Sequence, residues 1–245
     1  QIQAGKKKDE YYQSNYFSRL DTNDVTTFEF FSPAVIFEMN SLNKKQYASD
    51  GMLLRLSGRL VSGWENTIPG STNIEKDTLA NHHQWLQLQL KYDHYFARVR
   101  SVRFGFYGEA SLSNQQVFSN YTATILSAPG FNPLPESQTI FLPQFRAFNF
   151  AGAGLKTIFP VIKNMDFRAE GYVFQPFREV RKTETNLAEL GKDLATRFFI
   201  FSGRFVYHAP FGPISASLDY YDSADESFVF NINIGYYIFN RRPFY

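Results

Sequence analysis

Few residue pairs in this 245-residue chain could do chemistry, and each has an ordinary reading beside its chemical one. Asp50-Gly51 could supply the aspartate of a Ser-Asp hydrolytic dyad, but no Gly-x-Ser-x-Gly elbow accompanies it, so it reads as a turn opening a strand. His82 and His83 could help bind a metal. Adjacent histidines rarely share one ion without further ligands, so an exposed, solvated pair beside a loop is the expectation. His94 and His208 stand at strand ends, where hydrogen bonding accounts for them. There is no Gly-x-Gly-x-x-Gly, no phosphate-cradling Gly-x-x-x-x-Gly-Lys and no His-Glu-x-x-His. Cysteine is absent, which removes disulfides and thiolate metal ligands. No catalytic, cofactor-binding or metal-binding residue is therefore assigned, and no cofactor is expected.

A set of charges at alternate positions remains: Arg55, Arg59, Arg103, Glu109, Arg168, Glu170, Arg204 and Asp219. They suit either a selectivity lining or a mutually paired filling of a barrel interior. Nearby opposite charges favour the filling.

The elements that would carry these charges alternate with period two. In 228–239, Phe228, Phe230, Ile232, Ile234, Tyr236 and Ile238 lie opposite Asn231, Asn233 and Gly235. Similar runs occupy 52–63, 84–94, 99–112, 165–177, 196–208 and 213–221, with 27–39 and 147–158 alternating less cleanly, which makes nine strands. At about 9–14 residues they exceed the usual five or six of soluble sheets, and about 9–11 residues cross a bilayer at a tilt. The fold expected is an all-β transmembrane antiparallel barrel, or the C-terminal part of one. A soluble sandwich or lipocalin-like barrel is the competing reading, and it would place the large apolar rows in a shared core.

Composition agrees with the barrel. Phe, Tyr and Trp make up 18% of the chain, and rings on that scale suit interfacial girdles, for which Tyr92, Phe106, Tyr172, Phe174, Tyr207, Tyr220, Tyr236 and Tyr237 are candidates. No apolar stretch is long enough for a spanning helix, and a negative mean hydropathy does not exclude strands whose faces differ. Charge is nearly balanced, 25 basic against 23 acidic residues, and Lys6-Lys7-Lys8 runs straight into Asp9-Glu10. This leaves no concentrated basic face for nucleic acid.

Links between strands alternate in length, so 64–83, 113–146 and 178–195 are expected outside the cell and the short turns in the periplasm, with 40–51 the poorest fit. A short helical turn is expected in 186–195. Residues 1–26 read as an external loop or linker, and 27–245 as barrel. Nine strands with a periplasmic C-terminus would leave residue 1 outside, so either a strand has been missed, with 117–126 the candidate, or the chain continues a larger barrel upstream. The free edge of 27–39 then needs another segment to pair with it. Gln1 is not an initiator Met and no signal peptide is visible, as expected of a chain that was processed or that begins partway through a longer protein.

Five stretches carry a family resemblance: Phe37-Glu-Met-Asn-Ser-Leu-Asn-Lys-Lys-Gln-Tyr-Ala-Ser-Asp-Gly51, Gly63-Trp-Glu-Asn-Thr-Ile-Pro-Gly-Ser-Thr72, Phe141-Leu-Pro-Gln-Phe-Arg-Ala147, Phe167-Arg-Ala-Glu-Gly-Tyr-Val-Phe-Gln-Pro-Phe177 and Gly212-Pro-Ile-Ser-Ala-Ser-Leu-Asp-Tyr-Tyr221. Together they resemble the C-terminal barrel of the patatin-like phospholipases of the Bacteroidetes type, a branch similar to outer-membrane assembly and surface-antigen barrels. The resemblance implies a bacterial outer-membrane location, a parent barrel of about sixteen strands, and an upstream patatin domain whose Ser-Asp dyad hydrolyses lipid acyl esters. It also implies outer-membrane lipids, the upstream strands and patatin domain of the same protein, and the barrel-assembly machinery as partners. The chain itself would be an anchoring or translocation domain. A free-standing pore or assembly-type barrel is the alternative, and an integral barrel phospholipase would need a His close to a Ser on one exposed face. The closing Arg241-Arg-Pro-Phe-Tyr245 has the terminal aromatics of a barrel insertion signal, although Pro243 cannot donate to a ladder.

Overall fold

The computed structural model of the chain describes residues 1–12, 16, 18–73, 77–184, 187–222, 224 and 226–236. Its strands are β1 (Ile2–Tyr11), β2 (Asp24–Asn40), β3 (Met52–Ile68), β4 (Leu79–Val99), β5 (Val102–Ser113), β6 (Phe150–Ile162), β7 (Met165–Pro176), β8 (Val180–Lys182), β9 (Ala188–Leu190), β10 (Phe198–Ala209), β11 (Gly212–Tyr221) and β12 (Phe228–Ile234), with one short helix, α1 (Tyr121–Ser127). Ten of the strands form a single antiparallel sheet in the order β1-β2-β3-β4-β5-β6-β7-β10-β11-β12, and β8 pairs with β9 in a separate hairpin. β1 and β12 are the edges of an open sheet. No described helix is long and apolar enough to cross a membrane.

Three expectations are corrected. Residues 2–11, expected within a loop or linker, form β1, which pairs with β2 from Ile2↔Pro33 to Tyr11↔Asp24. The free edge expected on 27–39 is thus already occupied within this chain. Charge hid the strand, yet its charges fit one: side chains two apart share a face, so Lys7 meets Asp9 at 3.0 Å and Lys8 meets Glu10. Second, the strand suspected at 117–126 is largely helical, because Asn120 caps α1 by accepting from the Ala123 amide at 2.7 Å. Third, Ala188–Leu190 is a strand of the β8–β9 hairpin where a helical turn was expected.

Antiparallel order sends successive links to opposite ends. Residues 12–23, 69–78, 114–149, 177–197 and 222–227 share one end, and 41–51, 100–101, 163–164 and 210–211 share the other. Arg100 and Asn164 take φ of 55° and 63° in the two-residue turns, as tight hairpins require. The β4–β5 turn lies at 100–101, past the expected 95–98, because β4 continues to Val99 through a bulge at Tyr95/Ala97.

The two faces of the sheet differ. One is covered by two links that fold back across it, 41–51 from the short-link end and 114–149 from the long-link end. Under 114–149 lies an aromatic core: Phe131 stacks on Phe174 at 5.5 Å, Phe145 packs against Phe198 and Tyr221, and Phe118 meets Phe28 edge-on at 5.2 Å. The opposite, outer face is uncovered and, from β2 to β12, mostly apolar, with Phe230 66% and Ile232 68% exposed. The covered face also shows that the sheet curls. Tyr47, from the β2–β3 link, hydrogen-bonds Ser215 of β11 at 3.0 Å. In a flat sheet, β3 and β11 would stand six strand spacings, or ~29 Å, apart.

Candidate functional site

Strand parity places all eight expected charges on the covered face, where Arg59, Arg168, Arg204 and Asp219 are buried. Their partners mostly lie outside the set. Arg168 Nε donates to Asp166 at 2.7 Å, two residues along the same strand. Its Nη atoms donate to the Tyr47 and Ala48 carbonyls of the 41–51 insert, the latter at 2.9 Å. Arg204 contacts Glu136 of the long insert at 2.6 Å and Asp219 at 3.5 Å, the latter being the one ion pair within the expected set among the described residues. Asp219 also accepts from Ser217 at 2.8 Å and Asn231 at 3.0 Å. Arg103 donates to the Ser49 carbonyl at 3.3 Å and Arg55 to Glu38 at 3.3 Å, while Arg59 donates to Gln3 at 2.9 Å. Glu170 accepts from the Tyr172 hydroxyl at 2.6 Å, and Glu109 from Tyr107. Lys156, absent from the expected set, pairs with Asp93 at 2.7 Å.

Tyr47 is the centre of this network. Its φ of +53° turns the chain so that consecutive carbonyls face Arg168, and its ring lies 5.5 Å from the Arg168 guanidinium and 5.2 Å from that of Arg204. Its hydroxyl donates to Glu136 Oε1 at 2.7 Å. The inserts from opposite ends therefore meet at one hydrogen bond between two cation-contacting side chains. Burial pushes the Glu136 carboxyl above the ordinary glutamate range, with the Arg204 guanidinium opposing, and burial also raises the Tyr47 phenol. Sequence reasoning missed Tyr47 and Glu136 because neither lies on an alternating strand.

Other expectations divide. His82 and His83 face opposite sides, as neighbours on a strand must. His83 is buried against Glu65 at 2.7 Å, with Phe118 stacked on it at 4.5 Å, and so is not solvated. Glu65 also accepts from the Ser119 amide at 3.0 Å, which ties the long insert to β3. His82 stays exposed, with its Nε2 3.2 Å from Ser62 Oγ on the outer face. The girdle candidates Tyr172 and Phe174 are corrected: parity places them in the Asp166–Arg168–Glu170 row, and they are buried in the aromatic core. Tyr207 and Tyr236 are exposed, and Tyr237 and Arg241–Tyr245 lie outside the described residues. Asp50-Gly51 is the expected turn, with Gly51 at φ +92° where a Cβ would lie 2.1 Å from the Ser41 carbonyl oxygen. His94 and His208 hydrogen-bond to Tyr92 and Asp166. Among the described residues no three His, Asp or Glu side chains are grouped to hold a metal.

No family model matches the chain, and no curated protein or solved structure is similar to it.

Proposed function

We propose that this chain is wall and plug of a bacterial outer-membrane β-barrel, and that it anchors a patatin-like lipid acyl hydrolase and helps display or export its product or passenger. The observation that carries this reading is the inversion of the faces. A water-soluble sandwich or lipocalin-like barrel buries its large apolar rows. Here Leu56, Leu88, Phe201, Phe205, Leu218 and Ile232 point away from the core, while Arg168, Arg204 and Asp219 are buried under the inserts. An apolar face across the nine strands from β2 to β12 far exceeds the patch a soluble monomer exposes, and hydrocarbon is the solvent that suits it. The long links then lie outside the cell and the short turns in the periplasm. Open edges in lipid leave backbone groups unsatisfied at several kcal/mol each, so β1 and β12 pair with each other or with further strands of a larger barrel.

The inserts favour a plugged anchor over the free-standing pore or assembly-type barrel, because both lie across the covered face, the long one tied to it by the buried Glu136–Arg204 ion pair and 41–51 by hydrogen bonds from Arg168 to its carbonyls. Gel mobility and planar-bilayer conductance test this together. Detergent dependence, heat-modifiable mobility and a closed baseline are expected. Monodisperse protein without detergent would remove the membrane reading, and steady large-conductance openings would favour the pore.

A further inference from the structure

The outer face carries a second feature that the anchor does not use. Ser62 on β3 and His82 on β4 are twenty residues apart in sequence, but the register brings Ser62 opposite Gln84 and leaves Ser62 Oγ 3.2 Å from His82 Nε2. The ring of Trp64, the direct cross-strand partner of His82, lies 4.7 Å from the imidazole. The pair opens into a groove of about 500 Å³ that also holds Lys6, ion-paired to Glu29 at 2.7 Å, and Phe31. Along both strands the outer row changes character at this level. Trp64, Ser62, His82 and Gln84 give way to Leu60, Leu56, Leu86 and Leu88 toward the short-link end. If the outer face is in lipid, as proposed above, this is the depth of the interfacial zone, where the acyl esters of lipids lie.

We propose that Ser62 and His82 form a lipid acyl-ester hydrolase site on the outer wall, with Gln84 as the oxyanion donor. With the imidazole proton on Nδ1, Nε2 accepts the Ser62 hydroxyl proton as Oγ bonds to the ester carbonyl carbon, and the carbonyl π pair moves onto its oxygen. The Gln84 side-chain amide, directly across from Ser62, donates to that oxyanion, since the strand amides are committed to the ladder. Collapse expels the lysolipid alkoxide, which takes the proton from Nε2. Water then attacks the acyl-serine, Nε2 removing its proton and returning it to Oγ, and a fatty acid leaves. The Lys6–Glu29 pair presents one charge of each sign to the headgroup, which suits a zwitterionic lipid. A solvated surface Ser–His contact would need neither the ring contact, nor the amide opposite, nor the groove.

The test uses the whole protein in detergent micelles, with an alkyl fluorophosphonate as covalent probe, peptide mapping of the adduct, and hydrolysis of phosphatidylethanolamine in mixed micelles. The adduct is expected on the Ser62 peptide, absent in Ser62→Ala, and formed at least ~100-fold more slowly in His82→Asn. Gln84→Ala is expected to slow turnover ~100-fold. All three positions face outward, so heat-modifiable mobility should be unchanged. A protein with that mobility but no adduct on Ser62, or with labelling indifferent to His82→Asn, overturns the site and leaves the barrel standing. Loss of the mobility in the unaltered protein would instead strike the barrel. Mapping the peptide separates Ser62 from any serine of an upstream domain.

Discussion

Tyr47 shows how much one side chain can organise here, and how little its sequence context announces it. Its hydroxyl bridges Glu136 and Ser215 while its ring meets two guanidinium groups, so truncation leaves several buried polar groups short of partners. Tyr47→Phe is expected to cost about 1–3 kcal/mol in denaturant unfolding. Tyr47→Ala should also expose 41–51 to limited proteolysis, and an insert that stays protected would contradict its role. Glu136 gives a pH test. Its folded carboxyl is raised above the free value of 4.5, so its share of stability is complete below 4.5 and is lost as pH rises through the raised value. The stability advantage of the native protein over Glu136→Gln should shrink as pH climbs above 4.5 and then level, and growth with pH would refute the assignment. At this scale the sequence told which way Arg168 or Asp219 faces, because parity fixes that. Their partners come from loops and from register, and so were hidden. The same holds for Ser62 and His82, a diagonal contact visible only once β3 and β4 are aligned.

Among the elements, β1 is the instructive failure. Lys6-Lys7-Lys8-Asp9-Glu10 has no apolar row, so periodicity of hydrophobicity cannot find it, whereas its opposite charges two apart satisfy one another along a strand. The absence of cysteine allows a clean check of the pairing. Lys6→Cys with Glu29→Cys, direct partners in the ladder, should form a disulfide on mild oxidation, and Lys6→Cys with Phe31→Cys should not. Equal cross-linking of both would remove β1 from its place. The apolar strands were legible because large residues recur at every second position, and the same rule should have kept Tyr172 and Phe174 out of the girdle, since they share parity with Arg168. For β10 the outer row predicts a strong asymmetry. Phe201→Arg should destabilise the protein in bilayers by ~2–4 kcal/mol, while Ser217→Ala on the covered face of β11 should cost about 1 kcal/mol. Similar costs at both sites would mean the two faces see the same solvent.

Over the whole molecule, two links from opposite ends fill the concave side of a sheet that curls around them, and the remaining face is apolar from β2 to β12. The alternation and link lengths made the wall legible, and the poor fit of 40–51 among the short turns was the one trace of an insert. The long insert's fold was not legible, because an aromatic-rich irregular segment has no period to read. The central claim is that the outer face meets hydrocarbon while the covered face is sealed from it. Single cysteines at Ile232 and Asn233, neighbours on β12 that face opposite ways, test it directly in native membranes with a maleimide dissolved in the lipid phase. Ile232→Cys is predicted to react and Asn233→Cys to stay unlabelled, whereas labelling of Asn233→Cys alone, or labelling of neither from the lipid phase and both from water, would contradict the account.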